Sequence, residues 1–168
     1  PKMWDTTVGW RFNNPKMDEM YPIVSLGEGA EIIAEEMQIS REDQDSYSLE
    51  SHTRAIAAIN DGKFEDEIIP ISVPQRRGDP VIVDTDEHPR YEKTDGAYEL
   101  AIDTESLGKL RPAFKKDGSV TAGNSSGIND GAAALLLASR EKADALGLKP
   151  LLRWVGSASA GTEPGHFA

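Results

Sequence analysis

The sequence predicts an α/β protein, and two observations carry that reading. Beyond about Gly118, the apolar run Ala132 to Ala138, a capped helix ending near Leu146 and a restart over Leu151 to Val155 alternate as strand, helix and strand. Before Gly118, charged and loop-rich sequence surrounds one long helical pattern and one pair of β-branched runs, so the domain boundary falls there.

The segment from Pro1 to Ile23 has Trp4, Trp10 and Phe12 without a clear period and reads as an irregular arm, with a turn at Asn13, Asn14 and Pro15. From Gly27 to Met37, the residues Ala30, Ile33, Ala34 and Met37 recur at three and four, the mark of a short amphipathic helix with glutamates on its other face. Ser40 followed by Asp43 resembles a capping box, and the helix it starts runs to Asn60, where Gly62 offers a left-handed stop. Leu49, Ile56 and Ile59 share a face with His52, which fits either a satisfied residue at the edge of the face or a ligand.

Ile68, Ile69, Ile71 and Val73, interrupted by Pro70 and Pro74, and then Val81 to Val83 predict a hairpin with an edge-strand proline. Asp84, Asp86, Glu87 and His88 crowd the next turn but lack the spacing and glycine of a calcium loop, so they read as solvated and no metal is assigned. Tyr91 to Ile102 reads as a polar surface loop, and a short helix is expected over Thr104 to Leu110. The run Ala132 to Ala138 is apolar on both faces, as a buried central element would be. Ser139 can cap a helix to Leu146, with Gly147 and Pro150 after it.

Charge and composition narrow the function. The 168 residues are 38% hydrophobic and 28% charged, as a globular domain would be, and the net charge is −11. That field opposes nucleic acid and anionic membrane surfaces, so an anionic ligand has to be met by local cations. The absence of a spanning apolar run or a secretory leader pattern points to a cytoplasmic or matrix-type compartment. The sequence contains no cysteine, so no cysteine of this chain can act as nucleophile or zinc ligand. It starts at Pro1 and stops at Ala168 after a glycine- and proline-rich run, as expected of a piece of a longer polypeptide.

The stretch "GSVTAGNSSGINDGAA", Gly118 to Ala133, holds four glycines, three alanines and three serines in sixteen positions. Side chains so small let something approach the backbone closely, and either a tight structural turn or the wall of a narrow ligand site fits. Neither the P-loop nor the dinucleotide glycine pattern is present. Gly123 to Gly127 also matches the nucleophile-elbow spelling, with Ser125 as nucleophile and His88 or His166 with Asp130 as nominal partners. Gly127, Asn129, Asp130 and Gly131 are poor starters of the helix an elbow requires.

Five further stretches complete the picture: "SREDQD" (Ser40 to Asp45), "SHTRA" (Ser51 to Ala55), "GKFEDEIIPI" (Gly62 to Ile71), "DEHPR" (Asp86 to Arg90) and "LRPAFKKDGSVTAGNSSGINDGAA" (Leu110 to Ala133). In this order, and over nearly the full chain, they resemble the thiolases, acyltransferases that make or cleave 3-oxoacyl-CoA thioesters. "DTTVGWRFNNPKM", Asp5 to Met17, looks most like the degradative branch with acetyl-CoA acetyltransferases and 3-oxoadipyl-CoA thiolases. The resemblance implies that residues 1–118 form the loop or lid domain over coenzyme A and that residues 119–168 form the second half of the N-terminal βαβ core domain. It implies that Ser126 hydrogen-bonds the pantetheine arm, Ala122 lies against it, Ser106, Leu110 and Phe114 line the pocket, and Arg90 sits near the nucleotide end. A guanidinium suits phosphates because it stays charged and presents fixed donors, although an arginine in this place also reads as a solvated loop cation.

The resemblance further implies acyl-CoA and CoA as substrates, no permanently bound cofactor, a role in fatty-acid metabolism and β-oxidation, and a homodimer or homotetramer. The family's nucleophilic cysteine, activating histidine, second cysteine and asparagine-held water have no counterpart here. The segment is therefore expected to contribute cofactor binding and no catalytic residue, and to be inactive without the remainder of the thiolase chain. Departures are Ser25-Leu26 in place of His-Met, Phe167 in place of methionine, and extra residues from Tyr91 to about Leu100. The rival readings are a non-catalytic coenzyme A binding module and a serine hydrolase built on Ser125.

Overall fold

A computed structural model describes Met3 and residues 12–167. Of the unpatterned arm, Trp4 and Trp10 lie outside them. The described residues divide into two units, one running to Gly127 and taking in the segment from Glu163, the other Ile128–Thr162.

In the first unit, α1 (Pro15–Asp18) is a single turn whose Asn14 side chain accepts the Lys16 N–H, with Pro15 at the first helical position. Helix α2 (Leu26–Glu36) starts at a true capping box, Ser25 and Glu28 each taking the other's backbone N–H. Helix α3 (Arg41–Asn60) starts at Ser40 as predicted, but the Ser40 hydroxyl, besides accepting the Asp43 N–H, donates to the Asp43 carboxylate at 2.8 Å, so the reciprocal half of the box is missing. The helix stops just before Gly62, whose φ of 69° is the left-handed position that a β-carbon resists.

Strands β1 (Ile71–Val73) and β2 (Val81–Val83) form the expected antiparallel hairpin, Ile71 opposite Val83 and Val73 opposite Val81. The region read as a polar loop is instead a second hairpin, β3 (Tyr91–Thr94) with β4 (Ala97–Leu100). Asp95 and Gly96, with φ of 51° and 89°, form a two-residue turn of the primed kind that twists with the strands. Helix α4 (Thr104–Gly108) follows, capped by Asp103.

Glycines aside, the buried residues among the described residues of this unit are few: Ala34, Ile56, Leu107, Val120 and Thr121, with Glu31 and Asp45 among them. The glutamates of α2 were all expected on its outer face. Glu31 is instead only 5% exposed, turned toward the segment 118–120, while Met37, expected inside, is 69% exposed. Hydrogen bonding explains the position of Glu31: the turn at 119–120 offers two N–H donors, and one carboxylate accepts both.

In the second unit only α5 (Arg140–Ala145) is regular, capped by Ser139 as predicted. Ala132 to Ala138 and Leu151 to Val155 form no strand, and Leu136 and Leu152 are 82% and 94% exposed. The expectation of a buried central element is corrected on this point. A strand apolar on both faces needs pairing partners and cover, and the described residues of this unit supply neither. Unpaired apolar segments of this kind favour association. No helix among the described residues is long and apolar enough to cross a membrane.

Candidate functional site

Helix α3 organises the small-residue loop. The Asp45 carboxylate, buried on its N-terminal half, accepts Arg41 Nε at 2.8 Å and Asn124 Nδ2 at 2.9 Å. Asn124 also donates to the Ser119 carbonyl and accepts the Thr121 N–H, and the Thr121 hydroxyl takes the N–H groups of Gly123 and Asn124. From α2, Glu31 receives the Ser119 and Val120 N–H groups at 2.8–3.0 Å and the Ser119 hydroxyl at 3.1 Å. Gln44 donates to Ser119 Oγ, and Ser48 donates to the Gly123 carbonyl at 2.6 Å. The backbone from Ser119 to Asn124 is thus held through its polar groups, which is what a loop too poor in side chains for apolar packing requires.

At Gly118 a β-carbon would collide with the Glu31 carboxylate, and at Gly123 with Leu110 and with Leu107 Cδ2 at 2.7 Å. The close neighbours at those glycines are the protein's own side chains. Ala122 and Ser126, by contrast, are exposed.

Among the other residues the sequence nominates, Leu110 stands against Gly123. Phe114 closes on Gly27 of α2 and lines a cavity of about 210 Å³ with Val24, Ile32, Glu28, Glu31 and Lys115. Two carboxylates against one ammonium make that cavity a poor seat for phosphates. The Ser106 hydroxyl is engaged in the α4 cap, accepting the Asp103 N–H and donating to its carbonyl. Arg90 is exposed, its N–H donated to His52 Nδ1 at 3.3 Å and its carbonyl accepting the Ala101 N–H at 2.9 Å.

Ser48 and His52 are one helical turn apart on α3, about 6 Å of rise. One anchors Gly123, the other Arg90. The small-residue loop and the candidate cation are therefore registered against a single helix. The sequence reading missed Glu31, Asp45 and Asn124; the available signal was a carboxylate at the third residue before Ala34 and another four residues after Arg41.

The serine hydrolase reading does not survive the geometry. Ser125 Oγ donates to the Thr121 carbonyl at 2.6 Å, the His88 ring lies 5.9 Å from that of His52, and His166 Nε2 is 3.0 Å from the Glu36 carboxylate. No histidine stands ready to take the Ser125 proton.

His52 and His166 are shifted in opposite directions. Burial, then the charges of His88 and Arg90, hold His52 below the ordinary 6.5, while the hydrogen bond to Glu36 lifts His166 above 6.5. The His52 contribution to stability is present above pH 6.5 and is lost on acidification through 6.5 toward its depressed value, because the unfolded chain takes that proton more readily. His166 contributes below 6.5 and loses that contribution as pH rises through its elevated value. An NMR titration is expected to give a midpoint below 6.5 for His52 and above 6.5 for His166. Glu36→Gln is expected to return His166 toward 6.5 and leave His52 where it was; coincident midpoints in the unaltered protein would contradict both assignments.

Comparison with known proteins agrees with the motifs. The chain is 47% identical over 163 residues to a beta-ketoadipyl-CoA thiolase of Acinetobacter baylyi, covering 97% of this chain and 38% of that protein. It is 51% identical over 151 residues to an acetyl-CoA acetyltransferase of Chromobacterium violaceum, covering 90% of this chain and 36% of that protein. The crystal structure of the Bacillus anthracis acetyl-CoA acetyltransferase superposes with a TM-score of 0.64 at 44% identity, over 84% of this chain and 35% of that one. The chain thus spans a little over a third of the length of these relatives. The thiolase N-terminal domain matches residues 12–141, and with these fold neighbours the chain, an α/β segment in which helices outweigh two small hairpins, belongs to the thiolase family.

Proposed function

We propose that this chain is the coenzyme A-binding segment of a thiolase that forms or cleaves 3-oxoacyl-CoA by acyl transfer through a cysteine thioester. The observation that carries the reading is the registration on α3 of an exposed small-residue loop at Ala122 and Ser126 with the main chain of exposed Arg90, through Ser48 and His52. In coenzyme A the pantetheine arm is thin and uncharged and is joined to the nucleotide through phosphates. It needs a wall without bulk at one end and a cation at the other. In this reading Ser126 donates to the arm, Ala122 and Leu110 bound it, Phe114 and Ser106 complete the pocket, and Arg90 meets the nucleotide phosphates.

Residues 1–118 would act as the lid and residues 119–168 as part of the N-terminal core domain. The nucleophilic thiolate lies elsewhere in the polypeptide, since this chain has no cysteine. No cofactor is held permanently; CoA and acyl-CoA are substrates. The protein works in the cytoplasm or an organelle matrix, in fatty-acid breakdown by β-oxidation, as a dimer or tetramer. The same lack of cysteine favours, as the second reading, a module that binds coenzyme A without turning it over; thioester exchange by the complete polypeptide separates the two.

Calorimetric titration of the complete polypeptide with CoA and with pantetheine tests the assignment. Arg90→Ala is expected to weaken CoA about tenfold, the worth of one charge-assisted contact, and to spare pantetheine. Ser126→Leu is expected to weaken both ligands, because the obstruction lies on the arm they share. Equal CoA affinity in all three proteins would refute the site.

A further inference from the structure

The β3–β4 hairpin, the stretch that departs from the family's spacing, is fastened to the structure in an unusual way. The Ala101 N–H to Arg90 carbonyl bond sets the antiparallel alternation, so the main-chain groups of Tyr98 point away from β3. Asn60, the last residue of α3, takes both of them: its Oδ1 accepts the Tyr98 N–H at 2.9 Å and its Nδ2 donates to the Tyr98 carbonyl at 2.8 Å. One side-chain amide thus plays the part of a third strand. The Tyr98 ring is then fixed from three sides. Its hydroxyl lies 3.0 Å from Thr85 Oγ1 and 3.1 Å from Lys93 Nζ, the Lys93 ammonium sits 4.7 Å from the ring centre, and Tyr91 meets it edge-on at 4.8 Å.

Arg90 is the residue immediately before β3. Its carbonyl is bonded to Ala101 at the base of the hairpin, and its N–H to His52 on α3. His52 and Asn60 are eight residues apart, about 12 Å along the helix. The hairpin is therefore stitched to α3 at two points, with Arg90 at one of them.

We propose that the hairpin clamped by Asn60 is a positioning device for Arg90: it fixes the main chain on both sides of that residue, so that its side chain leaves the backbone in one direction, toward the anionic end of the ligand. The inference rests on the coenzyme A reading of Arg90 given above. The physical gain is pre-organisation, since an exposed arginine on a free loop would lose its conformational freedom at the moment of binding. Asn60 touches no ligand and acts through the backbone of its neighbours.

The experiment is a double-mutant cycle on the complete polypeptide, read by calorimetric affinities for CoA and pantetheine. Asn60→Ala is expected to weaken CoA three- to tenfold and leave pantetheine unchanged, and to add nothing further once Arg90 is alanine. Asn60→Asp, which keeps the acceptor for the Tyr98 N–H but replaces the donor with an oxygen that repels the Tyr98 carbonyl, is expected to weaken CoA by a similar factor and leave pantetheine unchanged, which tests the proposal with a second variant should the alanine one be unstable. Equal weakening of CoA and pantetheine, or an Asn60→Ala effect that persists in the Arg90→Ala protein, would show that the clamp only supports the fold and would overturn the proposal. If Arg90→Ala alone fails to distinguish CoA from pantetheine, the reading of Arg90 itself falls, a result separable from the others because it needs no change at Asn60.

Discussion

Replacing Glu31 by alanine is expected to lower the unfolding free energy of the complete polypeptide by about 3–5 kcal/mol in urea titration, the size expected when several hydrogen bonds to one buried carboxylate are lost together. The carboxylate is 5% exposed and holds two backbone N–H groups and one hydroxyl of the turn at Ser119 and Val120. Alanine leaves these donors without an acceptor in a place where Val120 and Thr121 are buried. Glu31→Gln separates shape from charge. It retains one acceptor oxygen but turns an amide toward donors, and about 2–3 kcal/mol of loss is expected. Gly118→Ala attacks the same contact from the other side, because its β-carbon would enter the space of the carboxylate. A loss below about 1 kcal/mol in Glu31→Ala would mean that the turn finds other acceptors at no cost. CoA affinity is expected to fall with stability, since Ser126 hangs on the loop this residue holds.

What the sequence made legible, and what it hid, follows one physical distinction. Local chemistry was readable: Ser40 and Ser139 as caps, Gly62 as a left-handed stop and the β-branched hairpin all depend on neighbours within a few residues. The second hairpin had a local signal too, Asp95-Gly96, but its flanks Glu92, Lys93 and Glu99 lack the apolar alternation that marks a half-buried strand. Its stability comes from Asn60, thirty-eight positions away from Tyr98. Glu31 was misplaced for the same reason, its partners lying eighty-eight and eighty-nine residues further on. The run Ala132 to Ala138 was correctly read as apolar and wrongly read as buried here, because burial belongs to the partner surfaces and not to the run. At the site, the small-residue loop announced close approach, but not that Gly118 and Gly123 serve the protein's own side chains while Ala122 and Ser126 face outward.

Asp45→Ala is the second change expected to cost about 3–4 kcal/mol, and it tests whether the loop is held by one network or by independent contacts. The Asp45 side chain is 4% exposed and its two oxygens divide the work: one takes Arg41 Nε, the other Asn124 Nδ2. Arg41, at 21%, also donates to the carbonyls of Leu107 and Leu110 at 2.6 and 3.3 Å, so it ties α3 to the end of α4. Without Asp45, that guanidinium stays largely buried with carbonyl partners and no countercharge, and Asn124 loses the bond that aims it at Ser119. Asp45→Asn, which keeps an acceptor for one of the two donors, should cost about half as much. Ser119 is where the two networks meet, accepting from Asn124 and Gln44 and donating to Glu31. Once Glu31 is gone and the turn is free, the Asn124 bond has less left to hold. The double variant should therefore lose at least about 1 kcal/mol less than the sum of the single losses. Losses that add to within about 0.5 kcal/mol would instead mean that α2 and α3 grip the loop separately.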